Sequence, residues 1–272
     1  LISPCQGEEK GELSLSLLRE RGRVRVMQDV ICGKNPVKEA LRADRPIQKI
    51  FIGKFKGKDN AIDKIISLAK EKGVPYHWAD NYTLQKYAKF SQGVVAIAEG
   101  KKYADYLEFL ETAKEKKEPP FILILDSIED PQNLGAMIRT ADAAGVHGVI
   151  IPKNRAAGVT PTISKTSAGA IEHVPVAQVA NLSSTINDLK EQGLWIVGID
   201  HNGSNKMSEV DFNLPVAVVI GGENKGIAPL VRSRCDFIVR IPMRGKISSL
   251  NASVAAAILM YEVYRIRKPQ KF

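Results

Sequence analysis

The sequence predicts an α/β protein: a parallel sheet with helices on both faces, preceded by a small α/β domain. Three observations carry that expectation. From residue 29 onward, short apolar runs alternate with helix-length amphipathic stretches, the pattern of strands joined by helical crossovers. Several runs, such as FILIL at 121–125 and VAVVI at 216–220, are apolar without alternation, as strands buried on both faces are. Polar, glycine-rich turns follow the later runs, at the strand ends where α/β proteins bind ligands.

Taken in order, residues 1–26 carry mixed charge with only a short helical hint, and Met27 is a candidate start. Residues 1–28 therefore read as a disordered extension, with a basic arm as the alternative. In the small domain, 29–99, strands are expected at 30–32, 47–52, 74–78 and 93–98. Asn35-Pro36 has the N-cap and first-turn pattern of a helix running to 43. Further helices are expected at 61–72, stopped by Gly73, and at 82–89. Lysines at 49, 54, 56, 58, 86 and 89 make this domain basic, which suits either an RNA-docking surface or a solvated face. Residues 100–120, rich in Lys and Glu and closed by Pro119-Pro120, read as a linker with some helical character.

The large domain, 121–268, opens with the strand at 121–125. A helix follows in which Asp130 is the cap, Pro131 the first helical residue and Gly145 the stop. It carries Asn133 and Arg139. Their spacing separates them by roughly 120° on a regular helix, so both face one site only if the helix begins after Asn133. Strands at 146–151, 174–179 and 195–199 alternate with helices at 160–172 and 182–192. His201-Asn202-Gly203 reads as a surface turn. Strands at 216–220 and 237–243 and a helix at 249–267 complete the chain.

Composition sets further bounds. With 272 residues, 44% hydrophobic and 25% charged, the chain is long enough for two globular domains. A net charge of +9 and a pI near 9.4 favour a polyanionic partner, although lysine also serves solubility. Cys5, Cys32 and Cys235 are far apart, and the four histidines have no metal-ligand spacing, so no disulfide framework and no metal site are expected. No apolar run is long enough for a membrane span and no signal layout opens the chain, which places the protein in the cytoplasm.

Residues 221–257 are the stretch around which the large domain is organised. A glycine-rich turn leaves a strand, a second small-residue turn follows the next strand, and Ser248, Ser249 and Asn251 stand at the head of an alanine-rich helix. Such turns meeting at one sheet edge make a pocket lined by backbone, suited to a neutral hydrogen-bonding ligand such as adenine. The common nucleotide and hydrolase signatures are missing: there is no GxGxxG after a strand, no GxxxxGK[ST], no GxSxG and no HExxH.

NLGAMIRTADAAG at 133–145, IGGENKGI at 220–227 and IPMRGKISSLNASVAAA at 241–257 resemble, in order, the three motifs of the SpoU (TrmH-type) RNA ribose 2′-O-methyltransferases of the SPOUT superfamily. Residues 29–98, opening with ICGKNPVKEAL and closing with SQGVVAIA, are similar to the RNA-substrate domain of the RlmB-like branch, with Ser91 where that branch often has His. The resemblance implies S-adenosyl-L-methionine as cofactor, a homodimer, and a C-terminal trefoil knot. Chain topology alone would favour an unknotted sheet, because knots are rare.

It further implies cofactor contacts at Gly221, Gly222, Ile241, Met243 and Leu250. Arg139 becomes the central catalytic residue, with Asn133, Glu223, Ser249 and Asn251 assisting. A guanidinium with pKa above about 12 is a poor base, so Arg139 is expected to grip the target phosphate and the developing oxyanion. The implied reaction is methylation of a guanosine ribose 2′-hydroxyl, with large-subunit (23S) ribosomal RNA as the expected substrate. Transfer RNA is one alternative; a non-catalytic RNA-binding or ribosome-assembly protein is another.

Overall fold

The computed structural model describes residues 28–54, 58–88, 91–154, 156–223, 225–246 and 249–267. The extension expected at 1–28 lies, but for Gln28, outside them, as do Lys56, Lys89 and Ser248.

The small domain runs β1 (Gln28–Cys32), α1 (Lys34–Arg42), β2 (Ile47–Gly53), α2 (Asn60–Glu71), β3 (Tyr76–Ala79), α3 (Asn81–Tyr87) and β4 (Val94–Glu99). Its sheet has the order β1-β4-β2-β3. Successive residues of β4 point to opposite faces: Val94, Ala96 and Ala98 join one apolar cluster with α1 and α2, while Val95 and Ile97 join another with Leu84 of α3. One local expectation needs correction. Helix α1 begins at Lys34 with Gly33 as its cap and no side-chain cap hydrogen bond, so Asn35 and Pro36 lie inside its first turn. Proline is tolerated there because the first amides have no intrahelical partner.

The segment expected as a linker contains α4 (Glu108–Glu115), which buries Phe109 and Ala113. Phe109 belongs to the core of the large domain, so this stretch is held against the sheet rather than spanning solvent. Then come β5 (Phe121–Asp126), α5 (Pro131–Ala144), β6 (Gly148–Pro152), α6 (Pro161–Thr166), β7 (Val176–Val179), α7 (Leu182–Glu191), β8 (Trp195–Ile199), β9 (Asn205–Lys206), β10 (Val216–Gly221), α8 (Pro229–Arg232), β11 (Phe237–Arg240) and α9 (Ala252–Arg267).

The large sheet is parallel with the order β7-β6-β5-β10-β8-β11-β9. Phe121, Leu123 and Leu125 of β5 enter one core and Ile122 and Ile124 the other; β10 divides its side chains the same way. Burial on both faces is why these strands are apolar throughout. Strand β10 lies between β5 and β8, which brings Asp126, Gly221 and Ile199 to one edge of the sheet.

The helix expected at 160–172 is shorter. After α6 the chain turns through Ala168 and Gly169, both at positive φ, into a 3₁₀ turn at Ala170–Glu172. Strand β11 ends at Arg240, before Pro242, which has no N–H to give a ladder. The two domains meet through a charged network. Arg45 donates to both carboxylate oxygens of Glu172 at 2.8 and 3.0 Å, and also to Asp29 and the Glu99 carbonyl. Lys101 donates to the Ile171 carbonyl beside it, and burial pushes its pKa down to about 8.

Candidate active site

Gly221 ends β10 because the chain must fold back on itself there. A Cβ on Gly221 would lie 2.1 Å from the Gly226 carbonyl carbon, and one on Gly222 would lie 2.5 Å from the Ser127 carbonyl oxygen. Neither position admits a side chain without moving backbone. The returning loop is tied by Asp126, a buried carboxylate at the end of β5 that accepts from the Ala228 amide at 2.7 Å. Burial makes that bond consequential, since an unpaired carboxylate there would be costly.

Above this turn lies a cavity of about 350 Å³, within the range that takes a nucleoside-sized ligand. All five expected cofactor residues, Gly221, Gly222, Ile241, Met243 and Leu250, line it, together with Glu223 and Ser249. Further walls come from Ile220, Ala252 and Ala255. Asp200 and His201 also line it, so the turn read as surface contributes to the cavity rim. Asp200 is held by Arg232 at 2.7 Å and accepts from the Asn202 amide at 2.8 Å. The available signal for it was an acidic residue directly after a strand, at the ligand-binding edge of the sheet.

Three expected catalytic residues form one hydrogen-bonded cluster. The Asn133 amide donates to Glu223 Oε1 at 3.1 Å; the Asn251 amide donates to the same oxygen and to Asn133 Oδ1 at 3.0 Å. The orientation of Asn251 follows from its place in the chain. Its Oδ1 caps α9, accepting from the Ser253 amide at 2.9 Å and hydroxyl at 2.6 Å, which leaves Nδ2 for Glu223. Asn251, not Ser249, is therefore the cap of the last helix, and α9 begins at Ala252. Ser249 stays exposed on the cavity wall. A second cavity, lined by Ser127, Glu129, Asp130 and Asn133, adjoins the first across Gly222, Glu223 and Lys225.

Arg139 is not brought to this cluster. Helix α5 begins at Pro131, before Asn133, so the angular separation of the two side chains is real. Asn133 is buried, whereas Arg139 is exposed and makes no hydrogen bond or ion pair to any described residue. Glu223 is bonded to the two asparagines instead. Among the described residues no group of three or more His, Cys, Asp or Glu is arranged to hold a metal ion, and no helix is long and apolar enough to cross a membrane.

A parallel sheet whose edge carries a ligand-sized cavity and a carboxylate–amide cluster defines a class of small-ligand-dependent α/β enzyme, and the sequence relatives narrow it. The model of the SpoU rRNA Methylase family matches residues 120–261, and that for RNA 2′-O ribose methyltransferase substrate binding matches 30–104. YacO of Bacillus subtilis, assigned by name to the TrmH family of tRNA/rRNA methyltransferases, is 48% identical over 242 residues, covering 89% of this chain and 97% of its own. Among solved structures, the SpoU methyltransferase AviRb from Streptomyces viridochromogenes, in complex with AdoMet, superimposes with a TM-score of 0.75 at 25% identity over 89% of this chain and 92% of its own. An RNA 2′-O ribose methyltransferase superimposes with a TM-score of 0.73 at 25% identity, over 88% and 89%. The chain belongs to the SpoU/TrmH family of RNA 2′-O-ribose methyltransferases.

Proposed function

We propose that the protein methylates a guanosine ribose 2′-hydroxyl in large-subunit (23S) ribosomal RNA, using S-adenosylmethionine and acting as a homodimer of the RlmB-like branch. The observation carrying this reading is the hydrogen-bonded Asn133–Glu223–Asn251 cluster beside a cavity walled by Gly221, Ile241 and Leu250. The cavity fits the cofactor chemically. Gly221 and Gly222 line its wall, Ile220, Ile241 and Ala255 offer apolar contact, and Asp200 stands at the rim as an acceptor for sugar hydroxyls. When bound, the cofactor supplies an electrophilic methyl group.

The chain's own residues must hold a poor nucleophile in line and help its proton leave. Asn133 and Asn251 fix the Glu223 carboxylate through Oε1, and Oε2 accepts from none of the described residues. Ser249 positions the ribose and Asn251 acts through Glu223, while a guanidinium stabilises the developing oxyanion and grips the adjoining phosphate.

The guanidinium is that of Arg139, supplied by a second copy. Gln132, Ala136, Arg139 and Ala143 form an outward stripe along α5, and α9, packed against it, exposes Val254, Ile258 and Tyr261 at helical spacing. Two copies paired through these helices would cover the apolar row and carry Arg139 of each to the cavity of the other.

The test is transfer of labelled methyl from S-adenosylmethionine to ribosomal RNA, followed by digestion to nucleosides and mapping of ribose methylation with and without the gene. Label in 2′-O-methylguanosine from the large-subunit RNA is expected. Label on a base, or on transfer RNA alone, overturns the substrate assignment.

A further inference from the structure

The small domain carries a surface that methyl transfer does not use. Lys49 and Phe51 are two apart on β2 and so share a face of the sheet, and His77 of β3 is in register with Phe51. On that face Tyr87 of α3 stacks on Phe51 with centroids 5.3 Å apart and 19° between planes, and the His77 ring lies 6.2 Å from Phe51. Lys49 Nζ sits 5.4 Å from the Phe51 centroid. On the outer side of α3, Tyr82 is 69% exposed and Lys86 Nζ lies 4.6 Å from its ring centroid.

Burial accounts for Phe51 and Tyr87, half-buried against the apolar cluster under α3, but not for His77 and Tyr82, which face solvent. Aromatic faces flanked by ammonium groups match an unpaired nucleotide, whose base offers a π face and whose phosphate carries the opposite charge. A duplex matches only the lysines, since its base faces are hidden in the stack. The chain's net charge of +9 adds long-range attraction for the same polyanion.

We propose that this flank binds an unpaired stretch of RNA, with bases stacking on His77 and Tyr82 and phosphates paired to Lys49 and Lys86. The inference rests on the proposed RNA-methylating function and deepens it: the RNA presented to the small domain has nucleotides outside base pairs.

The experiment uses the full chain and a fluorescent unstructured RNA oligonucleotide, free or annealed to its complement, with binding read by anisotropy. The single strand should bind more tightly than the duplex. His77→Ala with Tyr82→Ala should weaken single-strand binding about tenfold or more and leave duplex binding unchanged, while Tyr82→Phe keeps near-normal affinity. Lys49→Gln with Lys86→Gln should reduce the slope of log affinity against log salt by about 1.4, at about 0.7 for each lost phosphate contact on a single strand. Unchanged cofactor affinity in the aromatic double variant checks that the large domain is intact. Equal single-strand binding by wild type and that variant, or an equal loss for duplex, overturns the proposal. If the rings prove necessary for binding but no RNA is methylated, the surface stands and the enzymatic reading fails. If methylation proceeds and the rings are dispensable, the reverse holds.

Discussion

Asn251 uses the two ends of one amide for two tasks: Oδ1 caps α9 and Nδ2 holds Glu223. The tasks separate by substitution. Asn251→Asp keeps an oxygen for the cap, so helix stability should stay within about 0.5 kcal/mol, but it sets a carboxylate against Glu223 and should lower methyl transfer at least tenfold. Asn251→Ala should lose the cap as well, costing about 1 kcal/mol in urea unfolding. An aspartate variant with normal turnover would contradict the role given to the cluster. His147 supplies a pH test far from the reaction. Its side chain is buried, Nδ1 accepts from the Phe121 amide, and desolvation pushes its pKa below the ordinary 6.5. The unfolded chain therefore takes up a proton that the folded chain refuses. Stability from this residue is full above about pH 6.5 and declines as pH falls from there toward the folded pKa. Urea unfolding at pH 7.5 and 5.5 should show that decline, and His147→Gln should show less of it. At this scale the motif resemblance made Asn133, Glu223 and Asn251 legible as a group, but it set Arg139 and Ser249 with them, and the hydrogen bonds join only the three. It left Asp126 and Asp200 unread, because a lone acid after a strand acquires meaning only when the strand order is known.

Elements were legible where local chemistry decides them. Helix α5 starts and stops where Asp130, Pro131 and Gly145 say it should, with the Asp130 side chain accepting from the Gln132 amide at 3.0 Å. Helix α1 was misread at its start because Asn35-Pro36 imitates a cap, while Gly33, at φ 102, turns the chain two residues earlier. The docking of the small domain was not legible, since Arg45 and Glu172 are far apart in sequence. Their side chains are 8% and 2% exposed, so they form a buried pair whose disruption strands a charge. Arg45→Met should cost about 3 kcal/mol or more of stability and raise hydrogen exchange along β1 and the 170–172 turn. A variant with wild-type exchange there would show that the pair does not hold the two domains together.

Across the whole molecule, strand order was the largest thing hidden from the sequence, because parallel pairing joins residues that no local signal connects. Inserting β10 between β5 and β8 makes three distant turns neighbours. The same reasoning across two copies gives a quantitative expectation. If Arg139 serves the partner's cavity, Arg139→Ala and Glu223→Ala chains, each inactive alone, should recover about a quarter of wild-type activity when mixed and re-paired, because half the pairs are mixed and each has one intact site. No recovery would place Arg139 and Glu223 in the same chain's site. The claim on which all of this depends is that the turns at 220–226 and 241–250 hold the methyl donor. Photo-crosslinking the full chain to S-adenosylmethionine and sequencing the labelled peptides tests it most directly. Label is predicted on peptides spanning 220–226 and 241–255. Label concentrated instead around Phe121, His147 and Tyr264, which line a separate cavity, would contradict the account.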